Sequence, residues 1–269
     1  MIVDFHSHTA ASDGSLTAQE LADFMGERQV AVFSISDHDT LAAYGSFEVP
    51  AGSRVVTGVE INTSWRDNEV HILGYRLPLG PSPLDALLAA NRRARRGRVA
   101  RMVRRLREAG YGISEADVER EAVGAQAFGR PHIGKALVRL GIASDIESAF
   151  RNFLRRGKPG YEPSTHVTPA QAIEAIHASD GLAVLAHPGR LKDRAIIDEL
   201  AAGGLDGLEA FYPSHVREDV DAFRALADRY GLLLTGGADF HDIRYHTSGV
   251  GMEVGDAQIA PFLRAVGVA

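Results

Sequence analysis

Ile2-Val3-Asp4-Phe5-His6-Ser7-His8 sets a short apolar run directly against two histidines, and Asp13 follows in the next loop. The same arrangement recurs along the chain. A second apolar run closes in Ser36-Asp37-His38-Asp39-Thr40, and a third in Gly58-Val59-Glu60. His71 lies within Val70-His71-Ile72-Leu73-Gly74, His187 ends Leu185-Ala186-His187-Pro188, and Asp239 and His241 follow the last run in Gly237-Ala238-Asp239-Phe240-His241. The β-branched, apolar composition of these runs predicts strands over residues 2–5, 30–36, 54–59, 70–74, 182–186, 206–210 and 232–236. Helix start signals stand between some of them, such as Thr17-Ala18-Gln19-Glu20 and Thr168-Pro169-Ala170-Gln171. Strands alternating with helices predict a parallel sheet, closed as a barrel or open and doubly wound.

Between residues 83 and 160 the alternation stops and the pattern is helical throughout, over 83–109, 114–121, 131–140 and 144–154, punctuated by Gly110, Gly129, Gly141 and Gly157. A helical excursion between two barrel strands reads as an inserted subdomain, which divides the chain into a discontinuous body of residues 1–82 and 161–269 and an insert of 83–160. The charge divides the same way. Residues 92–160 carry 17 Lys/Arg against 7 Asp/Glu, whereas the remainder carries 12 basic and 28 acidic residues. A basic insert faces either an anion or the acidic body itself.

The chain of 269 residues is 45% hydrophobic and 24% charged, enough apolar material for a substantial core. It has no cysteine, which excludes disulfides and thiolate ligands, so a metal would sit on nitrogen and oxygen. No apolar run reaches the roughly 18 residues of a membrane span. The first residues enter a strand without the basic and apolar regions of a signal peptide. The expectation is a cytoplasmic enzyme with no membrane association and no stable protein partner.

In a parallel barrel all strand C-termini emerge on one face, so these scattered histidines and acids would converge there. A lone histidine at a strand end is ordinarily hydrogen-bonded or exposed, and an Asp after a strand ordinarily caps a helix. Six strand ends carrying such residues together point to metal. His6, His8, Asp13, His38, Glu60, His71, His187, Asp239 and His241 are nine candidate ligands, too many for one ion, and Glu60 is a plausible bridge. Imidazole and carboxylate suit two or three divalent ions, Mn, Zn or Fe, with Mg possible.

Asp4-Phe5-His6-Ser7-His8, Ser36-Asp37-His38-Asp39-Thr40, Gly58-Val59-Glu60, Ala186-His187-Pro188 and Asp239-Phe240-His241 resemble, in order and over nearly the whole chain, the motifs of the PHP family, named for polymerase and histidinol phosphatase. The resemblance implies an α/β fold, a distorted (β/α)7 barrel with an inserted all-helical subdomain, and a trinuclear metal centre. It implies one ion on His6, His8, Glu60 and Asp239, a second on Glu60, His71 and His187, and a third on Asp13, His38 and His241. Some members of the family carry histidine where this chain has Asp13. Gly129-Arg130-Pro131-His132-Ile133, Gly157-Lys158-Pro159-Gly160-Tyr161, His187-Pro188-Gly189-Arg190 and Tyr212-Pro213-Ser214-His215 are similar to the branch of nucleoside 3′,5′-bisphosphate phosphatases and 5′-trimming exoribonucleases.

The expected chemistry is attack of a metal-bridging hydroxide on a phosphate ester, with no covalent intermediate. Arg130 and Arg190 suit a bidentate grip on phosphate, His132 and His215 suit hydrogen bonding or protonation of the leaving oxygen, and Lys158 is a further cationic candidate. The expected ligand is a small phosphorylated nucleotide or a short oligoribonucleotide. A 5′-3′ exoribonuclease, a histidinol phosphatase and a non-catalytic nucleic-acid-binding module are the alternatives. A C–N hydrolase uses similar logic but lacks local motifs. Nine arginines lie between Arg92 and Arg107, with Val99, Met102, Val103 and Leu106 marking the apolar stripe of their helix. They read as a solvated face or as an electrostatic guide for nucleotides, and no aromatic residues interleave the run for base stacking. Phe128 and Tyr161 suit core packing or the flanking of a base.

Overall fold

The computed structural model describes residues 1–66, 68–164, 167–244 and 249–268. In chain order the first elements are β1 (Ile2–Asp4), α1 (Ala18–Glu27), β2 (Val32–Phe33), β3 (Arg54–Val55), β4 (Gly58–Trp65) and β5 (Asn68–Tyr75). Helices α2 (Leu84–Glu108), α3 (Glu115–Arg120), α4 (Arg130–Arg139) and α5 (Ile146–Ala149) follow, the last running into a π-helical turn over Phe150–Leu154. The chain then alternates through α6 (Pro169–His177), β6 (Leu182–Leu185), α7 (Ile196–Ala202), β7 (Gly207–Phe211), α8 (Arg217–Tyr230), β8 (Leu233–Gly236), β9 (Met252–Glu253) and α9 (Asp256–Ala265). The start signals work as their chemistry requires. Thr17 and Thr168 accept hydrogen bonds from the N–H of Glu20 and Gln171, whose side chains return to the cap backbone in complete capping boxes.

The architecture is mixed α/β with two sheets, one ordered β3-β2-β1-β9 and one ordered β4-β5-β6-β7-β8. Backbone hydrogen bonds cross between them at two seams. Phe5 N–H donates to Gly236 O at 2.9 Å and His8 N–H to Phe240 O at 2.8 Å. At the other seam Glu60 N–H donates to Ser36 O at 3.1 Å and Asp39 N–H to Glu60 O at 2.9 Å. Both seams run through the candidate ligands.

The expectation of an all-parallel sheet is corrected at β5, which pairs antiparallel with both β4 and β6. The run expected over 54–59 breaks in two, and its second part extends to Trp65, which pairs with Asn68 across a hairpin. That connection is too short for the crossover a parallel neighbour needs. Glu60 therefore stands third in β4 instead of ending a strand, and His71 lies midway along a strand of opposite direction. They still meet, because His71 is paired with Asn62 and so stands diagonally across from Glu60 on one face. Strand β9, antiparallel to β1, was not expected.

Helix α2 ties the sheets to the helices that follow it. Its buried stripe changes character along its length, which at 1.5 Å per residue is about 37 Å for 25 residues. Leu84 and Leu88 pack with Val59, Ile61, Ile72 and Ile176 of the five-stranded sheet and α6. Val99, Met102, Val103 and Leu106 pack with Ile113, Val118, Ile133 and Leu137 of α3 and α4 and their neighbours. Between these apolar stretches the stripe holds buried Asn91, Arg95 and Arg98. Truncating the fully buried Leu106 to alanine costs about 2–5 kcal/mol. A second core, centred on Phe5, Tyr75 and Phe262, fills the space behind β1, with Phe5 and Phe262 edge-to-face at 4.8 Å.

Candidate metal centre and substrate chamber

The ends of β1 and β8 deliver His6, His8 and Asp239 because their backbones run very close together. A Cβ on Gly237 would lie 2.4 Å from His6 Cβ, so only glycine fits there. Buried Asp4 braces the crossing by accepting from the N–H groups of His6, Ala238 and Gly251 at 3.2, 3.1 and 2.8 Å. Burial pushes its carboxyl up to about 6, against those three N–H groups and the nearby His6. Asp37 does the same for the loop carrying Asp13, accepting from Thr9 N, Thr9 Oγ1 and Ser12 Oγ at 2.7, 2.6 and 2.6 Å. Asp39, His187 and Asp239 all hold left-handed backbone angles, with φ of 53°, 30° and 50°. Non-glycine residues pay roughly 1–3 kcal/mol for such conformations, a cost that collects at functional sites.

The nine candidate ligands come together as three groups whose ligand atoms lie within 4.8 Å of one another: His6, His8, Glu60 and Asp239; Glu60, His71 and His187; and His8, Asp13, His38 and His241. Glu60 stands between them with its two oxygens divided. Oε2 lies 3.4, 3.3 and 2.9 Å from His6 Nε2, His8 Nε2 and His38 Nδ1. Oε1 lies 2.7 and 3.2 Å from His71 Nδ1 and His187 Nε2. Asp239 Oδ1 is 3.3 Å from both His6 Nε2 and His8 Nε2, and Asp13 Oδ1 is 3.4 Å from His241 Nε2.

The donor set fits divalent metal. Among the described residues, the buried side-chain atoms without a hydrogen-bond partner are His6 Nε2, both ring nitrogens of His8, Glu60 Oε2, His187 Nδ1 and Thr235 Oγ1, so all but the threonine belong to this cluster. Buried polar atoms are otherwise almost always paired. The charge balance agrees. Burial would drive His6 down, yet Glu209, Glu60 and Asp239 hold it well above the ordinary imidazole range, and His8 is held up at about 10 against burial by Asp239 and Glu60. Burial likewise opposes the ionised forms of Asp13, Glu60 and Asp239, but the surrounding imidazoles keep all three well below the usual carboxylate range. Burial pushes His38 down to about 4 and His187 down as well, leaving neutral rings suited to ligation. A cation bound here would displace the protons shared within the cluster.

Several supporting residues escaped the sequence reading. Glu209, fully buried in β7, accepts from His6 Nδ1 at 3.0 Å and from His187 N–H at 2.7 Å, fixing the ring orientation of one ligand and the backbone of another. Its signal was a glutamate inside the apolar strand Gly207-Leu208-Glu209-Ala210-Phe211, where a carboxylate survives only with buried partners. Asp39 gathers α2 onto the site. Asn91 Nδ2 donates to Asp39 Oδ1 at 2.8 Å, Arg95 Nε to Oδ2 at 2.7 Å and Arg92 to the main-chain oxygen at 2.7 Å. Asn62 bridges Asp39 to His38, with Nδ2 3.2 Å from Asp39 Oδ2 and 3.1 Å from His38 Nδ1. Arg92, Arg95, Arg98 and Arg101 recur every third residue and all bond inward, the last two to Glu69 at 2.7 Å and Glu162 at 2.8 Å.

The candidate substrate residues separate into two sets. Arg130 and Arg190 line a cavity of about 180 Å³ together with seven of the nine candidate ligands (all but His6 and His8), Arg95, Arg98, Phe128 and Phe150. Arg130 donates to Glu69 Oε2 at 2.5 Å, while Arg190 reaches Tyr212 Oη at 3.1 Å and Asp239 Oδ2 at 3.3 Å. Tyr212 itself donates to Asp239 Oδ2 at 2.9 Å. His132, Lys158 and His215 do not line this cavity. His132 is buried, and its Nδ1 accepts from Gly129 N–H at 3.1 Å. His215 donates from Nδ1 to Ala210 O at 2.9 Å and accepts at Nε2 from Gly189 N–H at 3.1 Å, which pins the turn bearing Arg190. Lys158 is exposed. Phe128 lies with the guanidinium of Arg96 4.7 Å from its ring.

No protein-family model matches the chain. It is 35% identical over 248 residues to the 3′,5′-nucleoside bisphosphate phosphatase of Chromobacterium violaceum, covering 89% of this chain and 87% of that protein. It is 34% identical over 255 residues to the 5′-3′ exoribonuclease Rnm of Escherichia coli, covering 90% and 85%. Among solved structures, one described as an amidohydrolase from Chromobacterium violaceum, with bound sulfate and no metal, superposes with a TM-score of 0.88 at 30% identity over 98% of this chain and 95% of that one. Another, described as a metal-dependent phosphoesterase from Bifidobacterium adolescentis, gives 0.80 at 31% identity over 88% and 87%. No described helix is long and apolar enough to cross a membrane.

Proposed function

The chain belongs to the PHP family of metal-dependent phosphoesterases and is a phosphoric ester hydrolase, and from that starting point we propose that it removes phosphate from a small nucleotide of the nucleoside 3′,5′-bisphosphate class. The observation that carries this reading is the linkage of three ligand groups through the shared residues Glu60 and His8, beside a chamber also lined by Arg130 and Arg190. His6, His8, Glu60 and Asp239 would hold one ion, Glu60, His71 and His187 a second, and Asp13, His38 and His241 a third, with His8 facing the first and third groups alike. Mn, Zn and Fe suit these ligands, and Mg remains compatible with the carboxylates. Divalent ions held there would make water nucleophilic near neutral pH and offset charge on the phosphate.

The remaining work falls to the protein's own groups. Arg130 and Arg190 are placed to take non-bridging phosphate oxygens in charge-assisted bonds. Glu69 and Tyr212 hold those guanidinium groups in position, and Glu209 and Asn62 orient the imidazoles. His132 and His215 act as positioning residues in this reading, since backbone groups engage both ring nitrogens of His215 and Nδ1 of His132, and neither ring lines the chamber. The two seams joining the sheets support a distorted β/α barrel as the body, over residues 1–82 and 161–269. The separate apolar cluster of α2 to α5 supports residues 83–160 as a helical insert.

The second reading, a 5′-3′ exoribonuclease on short RNA, is favoured by an opening of the chamber into a larger groove. Release of orthophosphate from adenosine 3′,5′-bisphosphate, with Mn, Zn and Mg supplied separately, tests the first. The proposal expects metal-dependent release. Shortening of a 5′-phosphorylated triribonucleotide, with no phosphate released from the bisphosphate under any metal, would replace it with the second.

A further inference from the structure

The chamber does not end at the ligands. It opens into a groove of about 430 Å³, and Glu69, His71, Arg98, Arg130, His187 and Arg190 line both spaces. A ligand whose phosphate lies against Arg130 therefore has a continuous path outward. The groove is too large for a phosphate alone and accommodates a nucleotide-sized body.

Its far wall differs from its near one. Near the ligands each cation already has a carboxylate, Arg98 and Arg130 sharing Glu69 at 2.7 and 2.5 Å and Arg190 reaching Asp239 at 3.3 Å. Farther out, Arg155, Arg156 and Lys192 line the groove, are exposed, and take part in no ion pair among the described residues. Besides Glu69, the one carboxylate in the groove's described lining is Asp193. Unpaired cations along a groove that leads from a phosphate-binding chamber match a further phosphate at little desolvation cost, because side chains this exposed keep most of their hydration when the phosphate binds.

Aromatic surface accompanies the charge. Trp65, the chain's single tryptophan, and Tyr161 both line the groove. Trp65 stands at the tip of the β4–β5 hairpin, its Nε1 donating to Glu199 Oε1 at 3.2 Å and the Arg66 guanidinium lying 4.3 Å from its ring centroid. The ring is thus held in place before any ligand arrives. An aromatic platform beside a row of cations is the combination that takes a base and its phosphate together without reading sequence.

From this juxtaposition we infer that the groove is a second subsite, taking one further nucleotide unit joined to the scissile phosphate, and that Trp65, Arg155, Arg156 and Lys192 set the enzyme's preference for substrate length. The inference rests on the phosphoesterase reading above. A mononucleotide bisphosphate offers the groove at most its second phosphate, whereas a short oligonucleotide offers a further base for stacking together with its phosphates and so gains more.

The test compares kcat/KM for a 5′-phosphorylated triribonucleotide with kcat/KM for adenosine 3′,5′-bisphosphate, using the metal-loaded full chain. In the combined variant Arg155→Ala, Arg156→Ala, Lys192→Ala the ratio of the two is expected to fall about tenfold or more, and in Trp65→Leu by about fivefold. The fall should shrink as salt is raised for the first variant and persist for the second. A ratio that stays at the wild-type value in both variants, whether both activities drop together or neither moves, overturns the inference while leaving phosphoesterase function intact. If the wild-type protein acts on neither substrate with any metal, the phosphoesterase reading fails, and the second subsite fails with it.

Discussion

The cluster around Glu60 and the groove beside it handle charge in opposite ways. At the cluster every carboxylate and four of the six imidazoles are buried, and each charge is offset by a fixed neighbour within about 4 Å. Along the groove's outer wall Arg155, Arg156 and Lys192 are exposed. Burial makes the first region electrostatically strong and intolerant of change, because removing one partner strands another in a low dielectric. Hydration makes the second region weak residue by residue and adaptable in what it accepts. Chemistry belongs in the first kind of environment, and discrimination among substrate lengths suits the second.

The contrast is broken most directly at its centre. Glu60→Gln keeps the shape but removes a carboxylate oxygen from the residue that two of the three groups share, so phosphate release is expected to fall on the order of 10³-fold, with metal content falling beside it. Near-normal turnover with full metal content would remove Glu60 from its bridging role. One layer out, Glu209→Gln leaves the ligands untouched but loosens His6 and His187. Metal affinity, followed by titration into stripped protein, is expected to weaken about 10–100-fold. An unchanged affinity would reduce Glu209 to a packing residue.

Smaller effects sharpen the boundary between the regions. Glu69→Ala releases Arg98 and Arg130 from their shared carboxylate. The expected outcome is a Michaelis constant raised about tenfold with kcat within about threefold, since the grip on phosphate is disordered while the ligands stay. A collapse of kcat instead would place Glu69 in the metal chemistry, two residues from His71. The smallest effect is expected on the solvent face of α2. Arg104 is exposed, so Arg104→Ala should change thermal unfolding by less than about 0.5 kcal/mol and leave both substrates' kcat/KM within error. A marked loss on the oligonucleotide alone would make the arginine face part of the binding surface.

The candidate ligands were legible as a set, because their joint pattern is harder to explain away than any single member. Histidines and acids at so many strand ends are hard to explain as caps or surface residues, and the structure gathers the nine into three overlapping groups. Helix α2 was legible to within a residue at each end, with Pro83 before it and Gly110 beyond it breaking the pattern. Strand direction was not legible. Reading the third run as ending at Val59 hid the hairpin, and an antiparallel β5 brings His71 to Glu60 by cross-strand pairing instead of by convergence of strand ends. The supporting partners were hidden for a related reason. A lone arginine looks the same in sequence whether it meets water or Asp39, and its fate depends on long-range packing that places β4, β5 and α2 together. His132 and His215 show the converse, since their local motifs are attractive but neither ring lines the chamber, and each has a nitrogen bonded to a backbone N–H.

The central claim is that hydrolysis depends on metal held by this one cluster. It is tested by stripping the protein with chelator, verifying metal content by mass spectrometry, and following phosphate release from adenosine 3′,5′-bisphosphate as Mn is added back. The account predicts a loss of at least about 100-fold on stripping, and recovery that saturates at two to three ions per chain. Undiminished phosphate release from protein shown to be metal-free would contradict it.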